Sequence, residues 1–394
     1  MKRFAKFLLA PGANLFTENF GLSRALSWLV TGFISLMVFL AVFWFVHTAP
    51  PRTVIMTSGP PGSSFEHNAE KYRAILARNG VSLKILTSEG SLDNLERLQN
   101  PAVRVDIGFV QGGMFEGTNT QQLVSLGSVA YEPLLVFYRN PTPIGWLGGL
   151  AGKRLAIGPP GSGTRTLALS LLQTNGITAG GKTTFLDLDA GAASRALLAG
   201  SVDAVFLMSD SASVQIMRTL LRSPGVRLLS FEQADAYTRR FTYLNKLCLP
   251  EGSIDFGQNL PLQDVWLIGP TVELIARPHL NSAVSDLLLE ASQEVYGHAS
   301  LLQNQGEFPK PLAHEFKLSA DAARYYKSGK TFLYSRFPFW LASLLNRFLV
   351  AFVPMIIILI PGLRLIPAVY KWRFRMRFQR WYRNLVVLER ELSA

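Results

Sequence analysis

The stretch KRLAIGPPGSGTRTLALSLLQT (153–174) combines three local patterns in one short segment. Residues 154–157 are mostly apolar and predict a strand, which the turn residues Gly and Pro at 158–163 would end. Residues 164–174 carry apolar side chains at helical spacing, so a helix is expected there. A strand, a tight loop and a helix in this order form the repeating unit of a parallel α/β sheet.

The same unit recurs on both sides of this stretch, between Arg52 and Arg336. The predicted strands are 53–57, 82–87, 107–110, 124–130, 134–138, 154–157, 184–188, 204–208 and 227–230, and the predicted helices are 66–78, 92–98, 164–174, 192–198 and 213–221. This alternation predicts α/β architecture, with parallel sheets that carry helices on both faces. Ligands bind such sheets at the carboxyl ends of the strands, so functional residues are expected in the loops that follow strands.

Several of these loops are rich in small polar residues. They are TSGPPGSS (57–64), TSEGS (87–91), VQGG (110–113), GPPGSGT (158–164) and MSDSAS (208–213). Glycine lets a backbone approach a ligand closely, and the free amides at the start of a helix favour anions. Their position after successive strands predicts a small-molecule cleft. The helix start after 158–164 favours an anionic solute, and a carboxylate is the expected kind.

The sequence contains no motif that indicates an enzyme. The loop GPPGSGT has the glycine spacing of a nucleotide-binding P-loop, but Thr164 stands at the position of the lysine that contacts phosphate. Ser162 lies in GSG rather than in the GxSxG of a nucleophile elbow. The five histidines lack metal-ligand spacing, and the single cysteine, Cys248, excludes an intramolecular disulfide and cysteine-based metal sites. A protein without catalytic residues, cofactor or metal is therefore predicted.

Two apolar segments near the ends predict attachment to a membrane. Residues 25–46 contain no charged side chain. As a helix they would extend over about 33 Å, which exceeds a bilayer core of about 30 Å. A cleaved signal peptide has a shorter apolar region, so an uncleaved anchor is expected. The second segment, 339–363, contains Arg347 and Pro354, and either spans the bilayer or lies on it.

Most of the net charge of +12 lies beside these segments, because residues 1–24 carry +3 and residues 364–394 carry +6. Basic residues that flank a span stay in the cytoplasm. The leader 1–24 and the tail 364–394 are therefore predicted to be cytoplasmic, and residues 53–336 to lie outside the inner (plasma) membrane of a bacterium. A nucleic-acid-binding protein would spread its basic residues over a binding face, so nucleic acid is not expected as a partner.

Four motifs connect the chain to a known family. They are TSEGSLDNL (87–95), DIGFVQ (106–111), KRLAIGPPGSGT (153–164) and GSVDAVF (200–206). With them, the region from Thr53 to Pro311 resembles the solute receptors of TRAP transporters in the TAXI class, in a subgroup that is anchored to the membrane. The chain departs from the family at Phe65, where tyrosine is frequent, and at Ser209-Asp210-Ser211, where a Gly-Pro turn is frequent.

The resemblance implies the two-lobed fold of type II periplasmic binding proteins for residues 53–336. One lobe would comprise about 53–133 and 242–310, the other about 137–235, with a hinge near 131–137. The residues that match the family's cleft contacts are Ser63, Ser91, Asn94, Gln111, Ser162, Gly163 and Thr164. Arg165 would add a contact to an anion if its side chain points inward. Helix capping is the alternative role for Ser91 and Ser162.

The resemblance also implies a role in transport. The protein would capture a small anionic solute and deliver it to a TRAP permease subunit. The alternative is a sensor that signals through its membrane anchors, although the tail 364–394 is too short for an output domain.

The charge distribution predicts that both termini are cytoplasmic and that residues 53–336 are outside. Alkaline phosphatase fused at Ser335 should therefore be active, and a fluorescent protein fused after Ala394 should fluoresce. Phosphatase activity from a fusion after Ala394 would show that residues 339–363 do not cross the membrane.

Overall fold

The computed structural model describes residues 24–114, 122–178, 180–312, 315–358, 360, 361 and 375. The chain divides into a body, residues 50–335, and a terminal unit, residues 1–49 and 336–394. The leader up to residue 23, residues 362–363 and, apart from residue 375, the basic tail lie outside the described residues. The predictions made for those segments stay predictions.

The secondary structure follows the alternation expected from the sequence. In chain order the elements are α1 (Arg24–His47), β1 (Thr53–Thr57), α2 (Ser64–Arg78), β2 (Ser82–Leu86), α3 (Ser91–Gln99), β3 (Ile107–Gln111), β4 (Val124–Tyr131), β5 (Leu135–Tyr138), β6 (Arg154–Ala156), α4 (Gly163–Thr174), β7 (Thr184–Leu186), α5 (Ala190–Ala199), β8 (Ala204–Leu207), α6 (Val214–Leu221), β9 (Arg227–Leu228), α7 (Ala234–Arg240), β10 (Leu244–Leu249), β11 (Val265–Ala276), α8 (Ser282–Tyr296), β12 (Lys317–Leu318), α9 (Ala320–Ser328), α10 (Phe332–Arg336) and α11 (Phe339–Ile358). Every strand and helix predicted up to residue 230 is confirmed, with bounds that differ by at most two residues.

Many of the helices begin at a short polar side chain. The capping residues that accept a hydrogen bond from a backbone amide of the first turn are Ser63, Ser162, Asp189, Ser213, Asn281 and Ser319. Such a cap satisfies an amide that has no partner within the helix, and its loss costs about 0.5–2 kcal/mol. The caps explain why these helices start directly after the loops.

The first sheet has seven strands in the order β12-β4-β11-β3-β1-β2, with β10 paired to β11. Strand β1 runs parallel to β2 and β3, whereas β11 runs antiparallel to β3, β4 and β10. The sheet is therefore mixed, and the expectation of a parallel sheet was wrong for this half of the body. The antiparallel strand comes from residues 265–276, beyond the region in which the sequence pattern was interpreted.

The second sheet has five strands in the order β7-β6-β8-β5-β9, and it is mixed as well. Strand β6 runs parallel to β7 and β8, while β5 is antiparallel to β8 and β9. Alternate residues of β5 belong to different core clusters: Val136 and Tyr138 to one, Leu135 and Phe137 to the other. Both faces of this sheet are therefore buried, as the near-continuous apolar strands predicted.

The two sheets are joined where the link between β4 and β5 lies beside strand β11. The short link 132–134 leads from β4 to β5, and it lies beside β11, because the Leu134 amide donates to the Ile268 carbonyl (2.9 Å) and the Glu132 amide to the Pro270 carbonyl (2.8 Å). A Cβ on Gly269 would lie 2.2 Å from the Glu132 carbonyl oxygen, so only glycine permits this approach. Strand β11 thus pairs with the first sheet at one end and supports the link to the second sheet at the other.

A cluster of aromatic rings fixes helices α2 and α8 against β3. Phe109 is fully buried, with its ring centre 5.3 Å from that of Phe65 and 5.7 Å from that of Tyr72. The Tyr72 hydroxyl donates to Ser292 Oγ of α8 (2.6 Å). Phe109 belongs to the strand that ends at the 110–113 loop, so this packing also fixes the position of that loop.

Among the described residues of the terminal unit, the helices α1 and α11 are long and apolar enough to cross a membrane. Arg347, the charged residue within α11, donates to the Phe45 carbonyl of α1 (3.1 Å) and to the Ser343 carbonyl (3.2 Å). Its guanidinium lies 4.8 Å from the centre of the Phe45 ring. These partners satisfy a charge that would otherwise be costly in a bilayer.

The aromatic cluster predicts a large effect at one position. Phe109→Ala should lower the free energy of unfolding by about 3–5 kcal/mol, because the cavity opens in a fully packed region. Urea unfolding of the full-length protein in detergent, followed by circular dichroism, measures the change. Phe256 is 90% exposed, so Phe256→Ala should change stability by less than about 0.5 kcal/mol. An equal loss in both variants would contradict the packing described for Phe109.

Candidate ligand-binding site

The small polar loops that follow the strands meet in the structure. The Ser64 amide donates to the Ala212 carbonyl (3.4 Å) and thereby joins the loops 57–64 and 208–213. The Asp93 amide donates to the Gly161 carbonyl (3.0 Å), just after the 87–91 loop. These bonds connect segments attached to the first sheet with segments attached to the second, so the loops form one site between the sheets.

A buried carboxylate, that of Asp210, lies at the centre of the site. Its Oδ2 accepts the Gly163 amide (2.6 Å) and, over a longer distance, the Ser91 amide (3.5 Å), while its Oδ1 accepts the Thr164 hydroxyl (2.8 Å). Ser91 is the first residue of α3 and Gly163 the first residue of α4. The positive ends of two helices therefore face one carboxylate, an arrangement that stabilises negative charge.

Glycine at position 90 makes this arrangement possible. Gly90 has φ of +131°, and a Cβ there would lie 2.6 Å from Asp210 Oδ2. Any other residue would be strained and would push the carboxylate away from the start of α3.

A second buried acid, Glu132, supports the first from the link between the sheets. It is 1% exposed, and its Oε1 accepts the Asp210 amide (2.6 Å). Among the described residues no group bonds to its Oε2. Burial and the nearby negative charge of Asp210 hold the pKa of Glu132 well above its usual range. Burial also raises the pKa of Asp210, although the Thr164 hydroxyl and the Gly163 amide oppose that rise.

Two predicted contact residues, Ser63 and Ser162, act as helix caps. Ser63 Oγ accepts the Glu66 amide (3.2 Å), and Ser162 Oγ accepts the Arg165 amide (3.2 Å). Both hydroxyls are buried beside the site, but their bonds define where α2 and α4 begin. The capping alternative considered for Ser162 accounts for its contacts.

Asn94 is engaged entirely within the chain. Its Nδ2 donates to the Ser58 carbonyl (2.5 Å) and the Phe109 carbonyl (2.9 Å), and its Oδ1 accepts the Thr57 hydroxyl (2.5 Å). These bonds tie α3 to the ends of β1 and β3. Asn94 therefore positions the loops in this structure.

Gln111 links the two halves of the site. Its Nε2 donates to the Gly163 carbonyl (3.0 Å), and its backbone amide donates to Ser91 Oγ (3.3 Å). The side chain is buried, yet Oε1 has no hydrogen-bond partner in the part of the chain that the structure describes. Unlike Asn94, Gln111 thus keeps an acceptor available beside the start of α4.

The side chains of the last two predicted residues, Thr164 and Arg165, point to different places: that of Thr164 into the site and that of Arg165 away from it. The Thr164 hydroxyl contacts Asp210 and lies 2.9 Å from Ser211 Oγ, so it belongs to the centre of the site. The Arg165 guanidinium forms an ion pair with Asp187 and also donates to the Gly158 carbonyl (3.3 Å). An inward contact of Arg165 with an anion is therefore absent from this arrangement, because Asp187 satisfies its charge.

The sequence interpretation missed Asp210 and Glu132 as central residues. Asp210 was noted only as part of a departure from the TAXI pattern, and Glu132 was not singled out. The available signal was an acidic residue within a serine-rich loop, SDSAS (209–213), that directly follows a predicted buried strand. An acid in that position needs several donors, and helix starts are the nearest source of them.

The architecture and the site define a two-sheet α/β protein whose post-strand loops meet at a buried, donor-lined point. A family model, described as the NMT1-like family, matches residues 69–281, more than half of the chain. The chain therefore belongs to the NMT1-like family. A comparison with curated proteins found no match.

Several solved structures are similar at low scores. The periplasmic aliphatic sulphonate binding protein SsuA from Escherichia coli is 18% identical, with 63% of this chain and 73% of that chain covered and a TM-score of 0.40. An ancestral arginine-binding protein bound to arginine is 15% identical, with 62% and 93% covered and a TM-score of 0.39. The effector binding domain of QuiR in complex with shikimate is 11% identical, with 63% and 98% covered and a TM-score of 0.39.

The buried acid pair predicts a dependence of stability on pH. The folded protein keeps the Glu132 proton at pH values where the unfolded chain, with a glutamate pKa of about 4.3, has lost it. Stability from this group is complete below that pH and is lost as pH rises through the raised pKa of Glu132. The contribution of Glu132 to the thermal midpoint should therefore shrink as pH rises above the glutamate pKa of the unfolded chain, so the midpoint of Glu132→Gln should decrease less with rising pH than that of the wild type.

Substitution of the exposed Glu251 by Gln provides the control and should leave the slope as in the wild type. A Glu132→Gln variant whose midpoint changes with pH in the same way as that of the wild type would contradict the role given to Glu132.

Proposed function

We propose that the protein is a membrane-anchored, extracytoplasmic solute-binding receptor. One observation carries the proposal: loops attached to both sheets meet at a buried point where the starts of α3 and α4 face one carboxylate. The match to the NMT1-like family covers residues 69–281, which include the starts of α3 and α4. The terminal helices α1 and α11, with the length and apolarity of spans, support the anchoring.

The solute would bind between two lobes that close by a hinge motion. The proposed lobes are about 53–133 with 242–310, and about 137–235, with the hinge in the link 132–134 and in β11. Loops attached to both sheets contribute to the site, so a bound solute would contact both lobes and favour the closed state.

The solute would be a small anion with a carboxylate group. The donors that now hold the Asp210 carboxylate are the Gly163 amide, the Thr164 hydroxyl and, more distantly, the Ser91 amide. A solute carboxylate would use the same donors, because it offers the same two oxygens. Arg165 is excluded from the proposed contacts, since it pairs with Asp187.

The proposed partner is a TRAP permease subunit in the same membrane. The motifs at 87–95, 106–111 and 153–164, which resemble those of TAXI receptors, support this choice. The motifs lie on α3, β3 and the loop before α4, the elements that build the site.

A thermal-shift screen of the full-length protein in detergent tests the receptor proposal. The compounds are dicarboxylates, 2-oxo acids, amino acids, sulfonates and neutral sugars. We expect a carboxylate to raise the midpoint, since a ligand at 100-fold its dissociation constant adds about 2.7 kcal/mol of stability. Thr164→Ala should weaken the binding of that carboxylate, because it removes one donor.

Arg165→Ala is the matched control and should leave the affinity unchanged. If a neutral sugar stabilises the protein while every carboxylate fails, the solute is not an anion. If the screen yields no ligand in any class, the receptor proposal loses its support.

A further inference from the structure

Asp210 occupies the place that a bound anion would take. Its carboxylate is fully buried and accepts hydrogen bonds from the starts of two helices, α3 beside the first sheet and α4 beside the second. Since Asp210 follows β8 of the second sheet, its contact with Ser91 joins the two halves of the body. The carboxylate therefore contacts both halves, as a bound solute would.

The surroundings of Asp210 differ from those of an ordinary structural acid. Gln111 Oε1 is a buried acceptor close to it that has no partner within the described ranges. Buried polar groups that serve only structure are nearly always satisfied. Gln111 also donates to the carbonyl of Gly163, the residue whose amide holds Asp210, so the unsatisfied acceptor lies directly beside the helix start. An unused acceptor at this point indicates a site that receives a further molecule.

We propose that the Asp210 carboxylate is an internal ligand of this site. It fills the anion position between the starts of α3 and α4, holds the loops of the two halves together, and must leave before a solute carboxylate can bind there. The part that concerns the solute rests on the proposed function, whereas the occupation of the anion position by Asp210 does not.

This role makes Asp210 a determinant of specificity. A group attached to the chain competes at an effective concentration in the millimolar range. A simple carboxylate in solution would not displace it at lower concentrations. A solute that makes further contacts with the protein would displace Asp210. The internal carboxylate therefore selects against small metabolic acids whose only binding group is a carboxylate.

Removal of the carboxylate should create a site for a free one. The test uses the full-length protein in detergent, with sodium acetate and sodium formate as probes and sodium chloride at equal ionic strength as the salt control. Asp210→Ala should unfold at a lower temperature than the wild type, and acetate or formate should raise its midpoint in a saturable manner. The wild type should show no such response at the same concentrations.

Two variants make the result specific. Glu96→Ala removes an exposed carboxylate from α3, and acetate should not change its midpoint beyond the effect of chloride. Asp210→Asn keeps the shape of the side chain but not its charge, so it should be less stable than the wild type and should not respond to acetate. If Asp210→Ala does not fold, the stability of Asp210→Asn relative to the wild type still tests the role of the Asp210 charge.

The outcomes separate this inference from the receptor proposal. If neither acetate nor formate stabilises Asp210→Ala, or if Asp210→Asn is as stable as the wild type, Asp210 is not an internal ligand. If acetate stabilises Asp210→Ala while the solute screen finds nothing, the inference holds and the receptor proposal fails. For a carboxylate solute found in that screen, Asp210→Ala should bind it about tenfold or more tightly than the wild type does.

Discussion

A buried carboxylate at the starts of two helices is the contact on which the arrangement of the site depends. A charge in that position is tolerated only when donors surround it closely. Those donors come from α3, from α4 and from the hydroxyl of Thr164, so their loops must lie within hydrogen-bond distance of one point. The bare backbone at Gly90 follows from the same requirement. The loops after the strands are therefore ordered by electrostatics as well as by the packing beneath them.

The parts of the fold that depend on local pattern were predictable from the sequence. Strands such as β1 and β8 are short apolar runs that end at glycine or serine, and helices such as α4 begin at a serine that caps them. The direction of each strand within its sheet was harder to predict from the sequence. The antiparallel position of β11 results from pairing with β3 and β4, whose residues lie more than a hundred positions earlier in the chain. Local patterns carry no information about such distant pairs.

In the candidate site, too, the positions of the loops could be predicted from the sequence, whereas the contacts of single side chains could not. Within each sheet, the loops could be expected as neighbours because parallel neighbouring strands end at one edge of a sheet. That the loops of the two sheets meet followed only from the two-lobed fold that the family resemblance implied. The role of each side chain could not be predicted from the sequence, because it depends on the backbone and side-chain torsion angles within the loops. Asn94 matched a family motif, yet all its contacts in this structure are internal. Asp210 matched no motif and lies at the centre. Arg165 was expected as a possible anion contact, but the position of Asp187 on a neighbouring segment determines its direction.

Strand β11 has a consequence for how fast such a site could exchange its contents. It is a single continuous strand of twelve residues, with one end in the first sheet and the other beside the link to the second. The two halves cannot separate without a change in the torsion angles of that strand and of the adjacent link. The close approach at Gly269 concentrates this change where the two backbones touch. In the proposed receptor, the rate of opening would then depend on residues outside the site, whereas the affinity would depend on the loops. Residues that flank Gly269 could therefore change the residence time of a molecule bound to the proposed receptor while the chemistry of recognition stays unchanged.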